Sequence, residues 1–430
     1  MIRWGAALAF VLAARTAPAA EPAKEAAAPA QAVQYRPGLE TIEITADEAP
    51  VELAGQKITT VPKGRWFGVT KRFPSNDLIG IRVFSGTNLR MGYVHASDAK
   101  VLTDADVDLA GEAIRIAKIF NPKLDAAAVR TRLDALADRV AEAAASAAAP
   151  MAKASRVASI LYGREGFRYD QDFHTIETTL DHKHGNCLGL SLLYLCATSK
   201  LKVPFRMLSV PRHALVRCDD GREKFNVEPS MMGMLITEDA YLLTHYGKLC
   251  DIYPRVLTHP QTVSVLLADA GAALAEKQKN AAALELYSRS IEINPQHPEG
   301  YYNWGVTLLM QKKAMLACKK FDETLQIDPY FAAAYYNWGS AEAALGNPRG
   351  ACGMFAKAAE LNPRCHEAYF NWGIVLLNQG KRYDAMEKFA KAEAIAPHLR
   401  PLVAKILQTP TGTSTGVIDF SISPSPRGKP

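Results

Sequence analysis

The sequence lacks several features that would assign it to a common functional class. It carries a net charge of +6 over 430 residues, but it has no long block of lysine and arginine that could follow a phosphate backbone. The pairs Lys312-Lys313 and Lys319-Lys320 have helical spacing and indicate a solvated helix face. The seven cysteines do not have the spacing of a zinc site. Nucleic acid is therefore not an expected partner, and we expect neither a metal nor a cofactor.

The sequence also has no apolar stretch long enough to span a bilayer. The candidate at the start, Trp4 to Ala14, has about 11 residues, whereas a spanning helix needs ~20. Arg3 precedes this stretch and Ala17-Pro18-Ala19 follows it, which is the pattern of a secretory signal peptide. We therefore predict a signal peptide at 1–20 and a protein that is exported to the periplasm or secreted; an Ala-rich tail without a targeting role is the alternative. With seven cysteines, at least one thiol of an exported protein stays unpaired or pairs between molecules.

The chain is too long for one hydrophobic core, and its changes of composition suggest about three domains. We predict a multidomain protein with a small all-β domain at 39–103, an α+β domain at 104–260 and an all-α solenoid at 263–408. The Pro/Ala/Glu-rich linker at 21–38 and the Thr/Ser/Gly/Pro-rich tail at 409–430 have the composition of disordered segments.

The first domain alternates short β-rich runs with turn residues. Five candidate strands are Pro50–Ala54, Ile58–Val61, Trp66–Lys71, Leu78–Phe84 and Met91–Val94. The order of the motifs at 61–64, 66–69 and 79–83, with the closing motif at 92–98, resembles a bacterial SH3-like barrel and implies a small closed sheet. Such barrels in exported proteins often bind peptides or cell-wall material. Trp66 and Tyr93 are either groove residues or half-buried barrel aromatics, and we assign this domain no chemistry.

The second domain contains the candidate nucleophile. We predict helices from Val107 to Phe120 and from Ala126 to Ala149. The later stretch from Leu188 to Ser199 is apolar almost all round, which is typical of a helix buried in a core. Cys187 then lies at the N-terminal end of that helix, where unpaired backbone N–H groups and the helix dipole favour a thiolate over a thiol. A thiolate is the better nucleophile at neutral pH.

A predicted hairpin supplies a base and an acid. Asp220-Gly221 is a two-residue turn signal between a strand that starts at His213 and a return strand that ends at Glu228. In that register His213 lies directly opposite Glu228, with the Cβ atoms roughly 5 Å apart on one face of the sheet. Asn226 lies on the same face, opposite Leu215, and is a further candidate catalytic residue. A carboxylate beside an imidazole can orient the ring and stabilise its protonated form, as a Cys–His pair requires.

The same residues lie in motifs that resemble the transglutaminase-like superfamily, and most closely its SirB-type branch. The motifs are residues 185–195, 210–217 and 227–230, with a helical lead-in at 116–122 and 133–137. The resemblance implies a papain-like Cys–His–acid arrangement that acts on amides. It implies that Cys187 is the nucleophile and His213 the general base, and that Glu228 stands where the family usually has Asp. The longer Glu side chain is one departure from the family pattern, and Arg212 in place of the usual Gly is a second.

Other interpretations of these residues stay open at this point. A cysteine before an apolar helix is also typical of a small buried residue, and a histidine at a strand start is also typical of a structural hydrogen bond. His182 and His184 with Cys187 suggest a metal site, but their spacing fits no common zinc pattern.

The third domain repeats with a period of 34 residues. Trp304, Trp338 and Trp372 each stand between Asn and Gly, and turn prolines, alanines and aromatics recur in phase with them. This pattern identifies tetratricopeptide (TPR) repeats, each of which is a helix–turn–helix unit. We predict four units, of which the first, at 263–296, is degenerate, and a capping helix at 398–407.

In the TPR family the first helix of each unit lines a concave groove. The resemblance therefore places six residues on a peptide-binding surface: Tyr302, Asn303, Tyr336, Asn337, Phe370 and Asn371. Asparagine amides can hydrogen-bond the backbone of an extended peptide, and the aromatics supply apolar contact. The alternative is that these are consensus residues with structural roles. The expected partner is a protein or a peptide.

Together these features predict an exported cysteine amidohydrolase or acyl transferase with a transglutaminase-like domain between a β barrel and a peptide-binding solenoid. The competing hypothesis is a non-catalytic interaction protein, in which the middle domain is inactive and the repeats bind protein partners.

Overall fold

The computed structural model describes residues 40–73, 77–85, 88–210, 213–237 and 255–408. The predicted signal peptide, linker and C-terminal tail lie outside these ranges. Within them, no helix has both the length and the apolar character needed to cross a membrane.

The N-terminal part is an antiparallel β-rich region. Its strands are β1 Thr41–Ile44, β2 Glu48–Leu53, β3 Gln56–Pro62, β4 Trp66–Phe73, β5 Leu78–Ser85, β6 Asn88–His95 and β7 Ala99–Leu102. They form one sheet in the order β3-β2-β6-β5-β4-β1-β7. The alternation of apolar residues gives it a buried face, on which Ile79, Ile81 and Val83 of β5 lie. The sequence pattern does not predict β1 and β7, which have four residues each and pair with one another, Thr41 opposite Leu102.

The middle part is a mixed α/β structure. Its helices are α1 Leu109–Phe120, α2 Ala126–Ala144, α3 Pro150–Ala158, α4 Ile176–His182 and α5 Cys187–Ala197. The helix expected over Ala126 to Ala149 is shorter and ends at Ala144, and Pro150 stands in the first turn of the next helix, where proline is tolerated. Helix α5 is buried on all sides from Leu188 to Ala197, which confirms the prediction of a core helix.

A five-stranded sheet packs against α5. Its strands are β10 Phe205–Val210, β11 His213–Asp219, β12 Lys224–Glu228, β13 Met234–Ile236 and β14 Arg255–Val256, in the order β13-β12-β11-β10-β14. Two further short strands, β8 Arg168–Tyr169 and β9 His184–Gly185, form a parallel pair immediately before α5.

The C-terminal part is an all-helical repeat region of four helix pairs and a final helix. The helices are α6 His259–Glu276, α7 Asn280–Ile293, α8 Pro298–Met310, α9 Ala314–Ile327, α10 Ala332–Ala344, α11 Pro348–Leu361, α12 His366–Asn378, α13 Arg382–Ile395 and α14 Arg400–Gln408. Glycine is required where the helices of a pair cross: a Cβ at Gly339 would lie 2.7 Å from the Phe355 ring, and one at Gly373 would lie 2.6 Å from the Phe389 ring. The large aromatic of the second helix thus fills the space left by the glycine of the first.

The β-rich region packs directly on the first two helix pairs of the repeat region. Arg65 Nη2 lies 2.5 Å from Oε2 of Glu292, a side chain that is buried in α7. The other oxygen of Glu292 accepts a 3.3 Å hydrogen bond from the backbone N–H of Phe84. The Phe84 ring contacts the Trp304 indole, with 5.1 Å between ring centroids. The contact therefore combines a buried carboxylate with an aromatic pair.

Candidate active site

Cys187 is the first residue of α5, as the sequence predicts. The helix starts here because Asn186 is its N-cap: the Asn186 Oδ1 accepts a 2.8 Å hydrogen bond from the backbone N–H of Gly189. The Cys187 side chain is half-buried. Cys187 is thus held at the N-terminal end of a buried helix, where the first backbone N–H groups have no partner within the helix.

The hairpin that carries the histidine and the acid has a different register from the predicted one. Arg217 pairs with Asn226 and Asp219 with Lys224, whereas the predicted two-residue turn would pair Leu215 with Asn226. The connection between the strands spans residues 220–223. It has this length because Asp220 Oδ1 accepts hydrogen bonds from the backbone N–H groups of Arg222 and Glu223. Each residue of β11 therefore faces a β12 residue two positions later than expected.

His213 and Glu228 nevertheless meet. The Nε2 of His213 lies 2.8 Å from Oε2 of Glu228. Side chains alternate with a period of two, so a shift of two residues keeps both on one face and turns a direct pair into a diagonal one. A glutamate side chain is long enough to cover the diagonal. The Glu228 carboxylate is buried, and the His213 ring is 22% exposed.

The Cys187 side chain lies close enough to the His213 ring to raise the pKa of the imidazole, so the ring stands between the thiol and the Glu228 carboxylate. Burial disfavours the charged ring, but the hydrogen bonds with Cys187 and Glu228 outweigh burial and raise the pKa of His213 to about 10. Since Nε2 faces Glu228, the ring nitrogen left for the sulfur is Nδ1. With a pKa of about 10 the ring is protonated at neutral pH.

Ser230 is a part of the site to which sequence analysis gave no role. Its backbone N–H and its hydroxyl both donate to Oε1 of Glu228, at 3.0 and 2.6 Å. The signal was present in the Glu-Pro-Ser sequence, since an acidic residue before a proline is typical of a cap on a short helical turn. The turn at Pro229–Met231 is capped in this way by Glu228.

Two more polar residues, Tyr169 and Asp170, stand where β8 meets the segment that leads into Cys187. Tyr169 ends the strand that pairs with Gly185; burial raises the pKa of its phenol, and negative charge on Cys187 raises it further. Asp170 follows and accepts a hydrogen bond from His174, with 2.9 Å between Oδ2 and Nε2. Neither residue was singled out from the sequence, because nothing in their local pattern indicates that β8 and β9 bring them together.

Asn226, the fourth predicted catalytic residue, does not contact the other three. Its side chain is buried and its Oδ1 accepts a hydrogen bond from Nε of Arg217, the residue directly opposite on β11. In the described part of the chain its Nδ2 has no hydrogen-bond partner. The geometry gives Asn226 a structural contact to Arg217.

Two cavities in the described part of the chain are lined by residues other than Cys187, His213 and Glu228. One, of about 160 Å³, lies between α2 and α4 and is lined by paired charged side chains such as Arg139 and Glu165. The other, of about 30 Å³, has Leu188 and Gly189 of α5 on one side and Leu266 and Asp269 of α6 on the other. The start of α5 and the first repeat helix therefore share a cavity. Across the described ranges, no cluster of three His, Cys, Asp or Glu side chains is arranged to hold a metal ion.

Four of the six residues expected on the groove surface are buried: Tyr302, Tyr336, Asn337 and Asn371. The Asn337 amide donates a 2.9 Å hydrogen bond to the Tyr302 hydroxyl, and the Asn371 amide donates a 3.1 Å bond to the Tyr336 hydroxyl. These amides thus join consecutive repeats, which corrects the expectation that they line the surface. Asn303 and Phe370 are half-buried. Asn303 has no equivalent tyrosine, because the matching position in the first unit is Ala268.

Comparisons with known proteins support the predictions for two of the three regions. Residues 127–267 match the family model of the transglutaminase-like superfamily, and residues 271–312 match a model of the TPR repeat. No curated protein matched the sequence.

Solved structures resemble the chain only in part. A crystal structure of MamA is 21% identical over 33% of this chain and 81% of that chain, with a TM-score of 0.30. MamA from Desulfovibrio magneticus RS-1 is 23% identical over 31% of this chain and 76% of that chain, with a TM-score of 0.30. The first TPR domain of Spaghetti (RPAP3) bound to an HSP90 peptide is 20% identical over 27% of this chain and 93% of that chain, with a TM-score of 0.27. The chain thus contains a transglutaminase-like domain at 127–267, followed by a TPR repeat.

Proposed function

We propose that the protein is a cysteine amidohydrolase or acyl transferase whose reacting groups are Cys187, His213 and Glu228. The observation that carries the proposal is the 2.8 Å contact between Nε2 of His213 and Oε2 of Glu228, together with a Cys187 side chain close enough to the ring to raise the pKa of His213. A cysteine nucleophile activated by a base, with a third group that orients the base, is the arrangement used for acyl transfer.

In the first half of the reaction the Cys187 sulfur attacks the carbonyl carbon of an amide. The proton of the thiol has passed to His213, and the negative charge moves to the carbonyl oxygen, where the backbone N–H of Cys187 is the natural donor. The C–N bond then breaks, and the His213 ring gives its proton to the leaving amine. The products of this half are a free amine and a thioester on Cys187.

In the second half water or another amine attacks the thioester carbon. Neutral His213 now accepts the proton of the attacking group, and the sulfur leaves as a thiolate. Attack by water gives a carboxylic acid, and attack by an amine gives a new amide. Glu228 keeps the ring oriented in both halves and stabilises its protonated form.

The neighbouring regions complete the proposal. The TPR units bind a protein or peptide partner, and Asn303 and Phe370 are the groove candidates whose side chains are not fully buried. The antiparallel β-rich region is an SH3-like barrel, a proposal supported by its short strands and its closing motif at 92–98. The middle domain belongs to the SirB-type branch, and the protein is exported to the periplasm or secreted, as the first 20 residues suggest.

The test is the reactivity of Cys187 toward iodoacetamide at pH 6, followed by mass spectrometry of tryptic peptides from the full-length protein. Cys318 and Cys352 are matched internal controls, since both are half-buried free thiols like Cys187. Burial raises the pKa of Cys318 to about 11 and also raises the pKa of Cys352, so both are protonated at pH 6. We expect Cys187 to react at least about tenfold faster than either, and His213→Ala to remove the difference.

A second readout detects the thioester. Incubation with carboxamide peptides and a primary amine is expected to release ammonia and to leave a transient acyl group on Cys187, which Cys187→Ser abolishes. Uniform slow labelling of the cysteines and no acyl adduct would instead indicate a non-catalytic protein whose repeats bind partners.

A further inference from the structure

We propose that Ser230 is a positioning residue that fixes the Glu228 carboxylate against the His213 ring. The proposal rests on the proposed acyl-transfer function, because it assigns Ser230 a part in the same site.

Glu228 divides its two carboxylate oxygens between different partners. Oε2 faces His213 at 2.8 Å, while Oε1 accepts hydrogen bonds from the Ser230 N–H at 3.0 Å and from the Ser230 hydroxyl at 2.6 Å. The hydroxyl bond has the length of a charge-assisted O–H···O⁻ bond, which is stronger than a bond between neutral groups. The backbone N–H and the hydroxyl of Ser230 thus hold Oε1, the Glu228 oxygen that does not contact His213.

The turn that carries Ser230 is itself fixed. The Gly233 N–H donates a 2.9 Å hydrogen bond to the Glu228 carbonyl and closes the turn. Gly233 has a φ of +74°, and a Cβ there would lie 2.8 Å from the Tyr162 ring. The backbone is therefore packed against Tyr162, and the Ser230 donors approach Glu228 from a rigid frame.

This arrangement explains how a glutamate can serve where the resembling family usually has an aspartate. Glutamate has one more rotatable bond, so an unrestrained carboxylate loses more entropy when it is fixed against the ring. Ser230 removes that freedom before His213 is engaged. Among the described residues, titratable groups near the pair include Cys187 beside the ring and Tyr162 and Tyr169 beside Glu228.

The test is the pH profile of Cys187 carbamidomethylation in the full-length protein, from pH 5 to 9. In Ser230→Ala we expect the rate at pH 6 to fall about tenfold, the effect of one lost charge-assisted hydrogen bond, and the rise in rate to move to higher pH. Ser230→Thr keeps the hydroxyl and is expected to restore the wild-type profile. A residue that served only folding would change the melting temperature and leave the profile in place.

Thr198→Val is the matched control. It removes another buried hydroxyl, which donates to the Tyr194 carbonyl at 2.8 Å near the opposite end of α5, and it should leave the profile unchanged. If Ser230→Ala does not fold, Ser230→Gly removes the same hydroxyl and is read in the same way. A wild-type profile in the folded hydroxyl-free variant overturns the role of Ser230, while His213-dependent labelling of the wild type keeps the proposed function standing. A wild-type protein without selective Cys187 labelling overturns the proposed function, and the inference falls with it.

Discussion

His213 and Glu228 are in hydrogen-bond contact at 2.8 Å although they are not directly opposite in the hairpin that joins them. The contact runs along the diagonal of the strand pair, where neighbouring residues are ~7–8 Å apart. The Glu228 side chain closes this gap and brings its carboxylate to the ring. The geometry of the hairpin and the identity of the acid are therefore linked.

The diagonal contact predicts that Glu228→Asp is as harmful as removal of the charge. Aspartate is one methylene shorter, so it loses contact with the ring, while Glu228→Gln keeps the length and loses the charge that faces the imidazolium. We expect each variant to lower the rate of Cys187 alkylation at pH 6 by at least about tenfold, about 1.4 kcal/mol. A Glu228→Asp protein with the wild-type rate would contradict the diagonal contact.

The raised pKa of His213 predicts a pH-dependent contribution to stability. The folded pKa, about 10, lies above the ordinary value of 6.5, so the stabilisation by the protonated ring is fully present below pH 6.5 and is lost as the pH rises toward 10. The free energy of unfolding of the wild type, minus that of His213→Gln, should decrease between pH 6.5 and 9.5 in urea titrations. A difference that stays constant over this range would mean that the ring is not protonated in the folded protein.

The hydrogen bonds between repeats predict that the Asn337 and Asn371 side chains stabilise the folded protein. Asn337→Ala and Asn371→Ala each leave a tyrosine hydroxyl without its donor, and we expect each to lower the free energy of unfolding by about 1–2 kcal/mol. Asn303→Ala is the matched control, because Ala268 stands where the tyrosine would be; it should change stability by less than about 0.5 kcal/mol. Circular dichroism during urea unfolding measures all three. Equal effects of the three substitutions would argue against a role for the tyrosine contacts.

The buried Glu292 carboxylate in α7 predicts that one substitution can weaken the contact between the β-rich region and the repeat region. Glu292→Gln removes the partner of Arg65, and we expect a loss of about 2 kcal/mol, since one charge of a largely buried pair loses its counterion. Faster hydrogen exchange of β4 and β5 would report the loss. Glu360→Gln, which alters an exposed pair with Lys357 on the same repeat region, should leave that exchange unchanged. Unaltered hydrogen exchange in Glu292→Gln would show that the contact between Phe84 and Trp304 is enough to hold the β-rich region on the repeat region.

The sequence predicts most accurately what depends on local pattern. The TPR period recurs along the sequence every 34 residues and the apolar run after Cys187 marks a buried helix, so both could be inferred without tertiary information. The hairpin register could not, because the Asp220 side chain converts a two-residue turn into a four-residue connection. The contact of His213 with Glu228 survived that error only because a shift of two residues preserves the face.

Tertiary contacts account for the other differences. Asn337 and Asn371 have the same local sequence context as Asn303, and only the stacking of repeats shows that a tyrosine from the preceding unit accepts their hydrogen bonds. Strands β1 and β7 are short, and they form because they pair with each other although about sixty residues of chain separate them. The role of Ser230 depends on its hydrogen bonds to Glu228. A contact between two side chains produces no periodic pattern in the sequence, so it could not be predicted.

The first repeat unit has neighbours on both sides, which restricts how the length of this protein can change in evolution. Leu266 of α6 shares a cavity with the start of α5, and Glu292 of α7 is buried under the β-rich region. Duplication or loss of a unit at this end would break two interfaces at once, whereas a unit added before α14 would break only the contact of the last helix. Related chains that differ in repeat number should therefore vary next to α14 and keep the unit formed by α6 and α7 unaltered.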